Sequence, residues 1–146
     1  ETDVLTVSVA SDGRIFFNVD GQYTRASLLD RMGQKYGIAF TPEEKHTFAV
    51  MSGMGVPVGG LKEFLALRPE QRKQVFQPGI PCDSGRNELA DWVLQARLSN
   101  YKLRIAIKGD REVGYPVIKK VINTLLDRKV NRFNLITNME REEKGV

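Results

Sequence analysis

Apolar residues fall on every second position in two short runs near the start of the chain, Leu5, Val7 and Val9, then Ile15, Phe17 and Val19, with Ser11, Asp12 and Gly13 between the runs. A period of two marks half-buried strands, so residues 4–19 predict a hairpin. With Gly13 in the left-handed position of a three-residue turn, Val9 faces Ile15, Val7 faces Phe17 and Leu5 faces Val19, which gives one continuous apolar face. A two-residue turn at Asp12 and Gly13 would instead place Asn18 opposite Val7 on the buried face. The three-residue loop is the better fit.

The period then lengthens. Leu28, Leu29, Met32 and Tyr36 form the stripe of a helix from about Arg25 to Tyr36, with Thr24 as its N-cap and Gly37 as its stop. Thr41, Pro42 and Glu44 make a capping-box start for a helix running through Val50. The stretch SGMGVPVGG breaks the chain, Leu61, Phe64 and Leu65 resume helical spacing, Pro69 opens another short helix, and QPGIPCDSG predicts a loop. Asn87 to Leu98 returns to helix with Leu89, Trp92, Val93 and Ala96 on one side. That stripe makes Trp92 a core residue in preference to an interface anchor.

Residues 101–137 hold a strand, a polar turn, an amphipathic helix and a second strand. Leu103, Ile105 and Ile107 share one strand face, and Lys102, Arg104, Ala106 and Lys108 the other. Val117, Ile118, Val121, Ile122, Leu125 and Leu126 recur in pairs every four residues, so one helix stripe packs on the sheet while Lys119, Lys120 and Asp127 face solvent. Pro116 suits a first helical turn, and Phe133–Thr137 returns as a parallel strand through a right-handed crossover. The expected fold is α+β: a mixed β-sheet with helices packed on one face, built from a β-hairpin, a helix and a C-terminal βαβ unit, with a helical insertion. Its parts are the hairpin and helix at 1–37, the insertion at 38–85, the helix and βαβ unit at 86–137, and a tail at 138–146, all in one domain. The helix at 87–98 leads directly into the alternating strand and competes with the helix at 25–36 for the main packing position.

The run IKGDREVGYPVIKKVINTLLDRKVNRFNLIT resembles the C-terminal half of the periplasmic domain of the ExbD/TolR family, small subunits of proton-driven energy transducers in Gram-negative envelopes. The family pattern of strand, small residue, Asp, polar residues, Tyr, helix, turn and strand is matched here by Gly109, Asp110, Tyr115, the helix through Arg128, and Asn134–Thr137. The family's glycine at the helix end is Lys129 in this chain, which departs from a left-handed glycine cap.

The resemblance implies the periplasmic domain of a single-pass inner-membrane protein that couples the proton motive force to a TonB-type transducer for outer-membrane transport. A TolR-like envelope-integrity subunit that binds peptidoglycan is the alternative. It further implies an ExbB/TolQ-like membrane subunit bound through an N-terminal membrane helix, a TonB/TolA-like transducer, contact with peptidoglycan, and a homodimer. The proton-handling Asp would lie on that membrane helix. No apolar run of 18 residues occurs here, and a start at Glu1 without Met or leader suggests a fragment of a longer protein. The residues expected at partner contacts are Asp110, Tyr115, Arg104, Phe133 and Leu135. Strand addition along Phe133–Thr137 or Leu103–Lys108 is the expected docking mode.

Charge adds a second candidate. Residues 1–96 carry ten basic and twelve acidic side chains, whereas 97–132 carry ten basic and three acidic, a net of +7. Such a patch could face nucleic acid, anionic lipid or cell-wall polymer, although a solvated strand and helix face is the plainer account. The exposed face of the basic strand carries no aromatic residue to stack a base and there is no GxxG clamp, so a nucleic-acid-binding α+β module is the weaker alternative and nucleic acid is not an expected partner.

Candidate chemistry is sparse. Gly53, Gly55, Gly59 and Gly60 fit neither GxGxxG nor a Walker loop, because Leu61 and Lys62 follow the last glycine. Cys82 is the sole cysteine and lies among Pro81, Asp83 and Ser84, which favours inert packing. With the single His46 it cannot assemble a zinc site, and His46 is expected at the surface or at its boundary with the core. Ser52 lacks the flanking glycines of a nucleophile elbow. Glu43, Glu44, Glu63 and Glu70 sit near helix starts, where carboxylates usually serve the helix dipole. No catalytic, cofactor or metal site is expected.

Overall fold

A computed structural model describes residues 3–110, 112–128, 130 and 133–137. The hairpin strands β1 (Val4–Val9) and β2 (Ile15–Val19) pair with Leu5 opposite Val19, Val7 opposite Phe17 and Val9 opposite Ile15, the register of the three-residue loop. Gly13 has φ +91°, a conformation that strains any residue with a β-carbon. The Ala10 N–H closes the turn on the Arg14 carbonyl at 2.9 Å.

Helix α1 (Gln22–Tyr36) starts ahead of the sequence expectation. Its cap is Gly21, and Thr24 lies buried inside the first turn. Strand β2 ends at Val19 and the chain turns at once, so the strand end sets the helix start and the capping preference of Thr24 does not. Leu28, Leu29 and Met32 are fully buried, and Gly37 ends the helix in the left-handed conformation.

Within the insertion, α2 (Pro42–Val50) opens on the predicted capping box, with Glu44 N–H to Thr41 Oγ1 at 3.1 Å and Thr41 N–H to Glu44 Oε1 at 2.9 Å. Helix α3 (Val58–Ala66) begins earlier than Leu61, and α4 (Pro69–Gln74) follows Arg68. The expected QPGIPCDSG loop ends in a small hairpin, β3 (Cys82–Asp83) and β4 (Arg86–Asn87). Helix α5 (Glu88–Ser99), capped by the Asn87 side chain, leads into β5 (Arg104–Gly109), α6 (Tyr115–Asp127) and β6 (Phe133–Thr137).

The main sheet has four strands in the order β2-β1-β5-β6, antiparallel between β1 and β2 and parallel across β1–β5 and β5–β6. This is the α+β class that the hydrophobic pattern predicts. One cluster of buried side chains joins the hairpin, the insertion and the βαβ unit. Helices α1 and α5 pack side by side, so the two rivals for the main packing position share it. Trp92 is fully buried among Phe17 and Phe48, with ring centroids 5.5 and 5.8 Å away. Ala106 departs from the predicted wet face of β5: it is buried, because a methyl group flanked by Thr6 and the β6 backbone is too short to reach solvent.

The two sheet edges differ. Phe17 N–H donates to Met54 O at 2.8 Å and Met54 N–H returns to Phe17 O at 3.1 Å, while Ile80 N–H donates to Ile15 O at 2.9 Å. The insertion therefore seals the outer edge of β2. Among the described residues, nothing pairs with the outer edge of β6. The tail at 138–146 and the cap position Lys129 lie outside the described residues.

Candidate functional site

Strand β6 carries the first of the candidate positions. Its register sets Phe133 opposite Ile105 and Leu135 opposite Ile107, so Leu135 extends the row that holds the core. Ile107 is 0% exposed and Leu135 is 52% exposed. The row thus runs from a packed interior to an apolar side chain at an open edge, the combination that strand addition uses.

Asp110 follows the end of β5. Its backbone N–H donates to Val9 O at 3.1 Å, its carboxylate accepts the Glu112 N–H at 3.0 Å, and its carbonyl accepts the Val113 N–H at 2.9 Å. The carboxylate is a turn former, as its position between strand and helix suggests. It does not cap α6, whose N-cap is Gly114 with no side-chain bond. Tyr115 is 69% exposed. As the first residue of α6, it precedes the buried stripe that starts at Ile118.

Arg104 lies at the other end of the same strand. It is exposed, and its N–H donates to Asp3 O at 2.8 Å. The six residues of β5 separate it from Asp110 by roughly 20 Å at strand rise. The five candidates do not converge on a pocket: Asp110 and Tyr115 lie at one end, Arg104 at the end where the chain begins, and Phe133 and Leu135 along the edge. Strand β5 is paired on both sides, by β1 and β6, so the expectation that Leu103–Lys108 could accept an added strand is corrected. Only β6 keeps that role.

Several titratable side chains outside this edge are tied into packing or pairing. Glu88 is buried, accepts the Val58 N–H at 2.7 Å and pairs with Arg86 at 3.3 Å. Glu44 pairs with Lys62 at 2.8 Å, and the Tyr36 hydroxyl bonds Asp91; burial first and then that carboxylate push the phenol above its ordinary range. Cys82 is 6% exposed and 3.2 Å from Thr124 Oγ1, which also accepts from Asn87 Nδ2 at 2.9 Å. Burial pushes the thiol up, against a smaller opposing effect of the Thr124 contact. His46 is exposed, as expected. Among the described residues, no group of three or more His, Cys, Asp or Glu could hold a metal ion, and no helix is long and apolar enough to cross a membrane.

The basic strand face shares its side of the sheet with one aromatic ring. Phe16 lies there, in register through Ser8 with Lys108, a neighbour that β5 alone does not reveal. The Arg14 guanidinium sits 5.4 Å from the Phe16 ring and 4.8 Å from that of Phe76. A β-carbon on Gly55 would come within 2.6 Å of the Phe16 ring, so backbone already lies against it.

No protein-family model, curated protein or solved structure matches this chain.

Proposed function

We propose that this domain is the output end of an ExbD-like membrane-anchored subunit, which couples the proton motive force to a TonB-type transducer by accepting an extended transducer segment along β6. The observation that carries the reading is the asymmetry of the sheet. The β2 edge is closed by Met54 and Ile80, whereas the β6 edge is open among the described residues and presents Leu135. Main-chain bonds along β6 would supply affinity, and the side chains at alternate positions would supply selectivity. The polarity of the domain agrees. An anchor preceding Asp3 would join the end that carries Arg104, and the Asp110 turn with Tyr115 would point away from the membrane.

Amide chemical shifts recorded during titration with peptides tiled from the transducer's periplasmic segment test the reading. Shifts confined to 133–137 and the 110–115 turn are expected. Saturating peptide that leaves both regions unchanged contradicts it.

A further inference from the structure

We infer that the end of the domain where the chain begins is an interfacial surface that rests on an anionic lipid bilayer. The inference deepens the anchored reading above and rests on it. Sheet direction places Asp3, the β2–α1 turn, the α5–β5 corner and the end of α6 together: Arg104 N–H donates to Asp3 O at 2.8 Å, Asp20 N–H to Val4 O at 3.0 Å, and Asn100 Nδ2 to Asp3 Oδ1 at 3.0 Å.

Two tyrosines stand at this end. Tyr23, in the first turn of α1, and Tyr101, in the α5–β5 corner, are both 86% exposed. Helical side chains lean toward the helix N-terminus, so Tyr23 extends beyond the start of α1. Leu98 beside the corner is 56% exposed. Folding gains nothing from leaving these rings in water, and amphipathic rings with a polar tip are the side chains that favour a membrane–water boundary.

Charge agrees with an anionic surface. Lys102, Arg104 and Arg128 are exposed at this end, and among the described residues none of them forms an ion pair. Among the described residues, the carboxylates of this end are Asp3, bonded to Asn100, Asp20, which accepts the Val4 N–H at 3.1 Å, and exposed Asp127. A chain tethered just ahead of Asp3 would hold the tyrosines and the cations against headgroups, where weak contacts act at high effective concentration.

Flotation of this chain with phosphatidylcholine vesicles, and with equal parts phosphatidylcholine and phosphatidylglycerol, at low and at physiological salt tests the inference. Binding to the anionic vesicles alone, weakened by salt, is expected. Reversing Lys102 and Arg128 to Glu should cut partitioning by about fivefold or more per residue, and Tyr23→Ser with Tyr101→Ser should weaken it while leaving the salt dependence. Lys108→Glu, the same charge change at the far end of β5, should have little effect; thermal melts confirm that each variant is folded. No binding to anionic vesicles at low salt overturns the inference. So does binding that a single-stranded oligonucleotide abolishes and the tyrosine variants leave unchanged. The free chain is offered to the vesicles, so this result is independent of the peptide titration: an upstream sequence without an apolar helix would remove the anchor and leave a positive vesicle result standing.

Discussion

The Glu88 carboxylate accepts the backbone N–H of Val58 at 2.7 Å, so a residue thirty positions further along the chain caps α3. Helix α3 has no side-chain cap of its own, since Pro57 precedes it. A carboxylate at a helix N-terminus satisfies an orphan donor and meets the positive end of the dipole. Glu88→Ala removes the acceptor from a buried N–H, and a loss of about 1–3 kcal/mol in urea-induced unfolding is expected. Stability equal to that of the parent would contradict the capping role.

Met54 is 1% exposed and exchanges both backbone bonds with Phe17. Met54→Ala should cost about 2–5 kcal/mol through the lost side chain and the cavity left behind. Gly55→Ala tests the same closure without deleting contacts. Its new β-carbon would meet the Phe16 ring at 2.6 Å and the Ile15 carbonyl at 2.9 Å, and a loss of about 1–3 kcal/mol is expected in the same denaturation assay.

Glu44 gives the domain an acid-side sensitivity. Burial pushes its carboxyl up, but Lys62 at 2.8 Å and the Thr41 N–H at 2.9 Å more than reverse this and hold it below the ordinary glutamate range. A carboxyl whose value is lowered on folding stabilises the fold above its unfolded value, and that contribution is lost as pH falls through the folded one. Glu44→Gln should therefore lower stability at neutral pH and flatten its decline on acidification. A decline as steep as the parent's would show that other carboxyls carry it.

Cys82 should react slowly. Its thiol is buried and pushed up by that burial, so little thiolate is available at neutral pH. Ellman's reagent should label the native chain far more slowly than the unfolded chain, and the native rate should keep rising into the alkaline range. Fast labelling of the native chain at neutral pH would refute the packing role.

Features written in neighbouring residues were legible in the sequence. Apolar alternation and the turn at Gly13 set the hairpin register, Thr41 and Glu44 announced α2, and the βαβ unit followed from two changes of period. Features that depend on distant partners were not. Nothing near Met54 marks it as an edge cover, and Glu88 looks like an ordinary first-turn acid until α3 lies beside it. Thr124 reads as a gap in an apolar stripe, yet it ties α6 to Cys82 and Asn87. The candidate site was half visible: Leu135 and the Asp110 turn stand where the pattern put them, while the central position of β5 became apparent only with the strand order.

The claim that β6 grips a transducer is tested most directly by thiol cross-linking. Cys82, the one cysteine among these 146 residues, is buried and so does not compete with a thiol introduced at the surface. With the protein in energised envelopes and a cysteine scan of the proposed transducer, Leu135→Cys should form a disulfide-linked species, and Phe76→Cys, more exposed than Leu135 at 70% against 52% but on the insertion, should not. Cross-links at 76 with none at 135 would contradict the account.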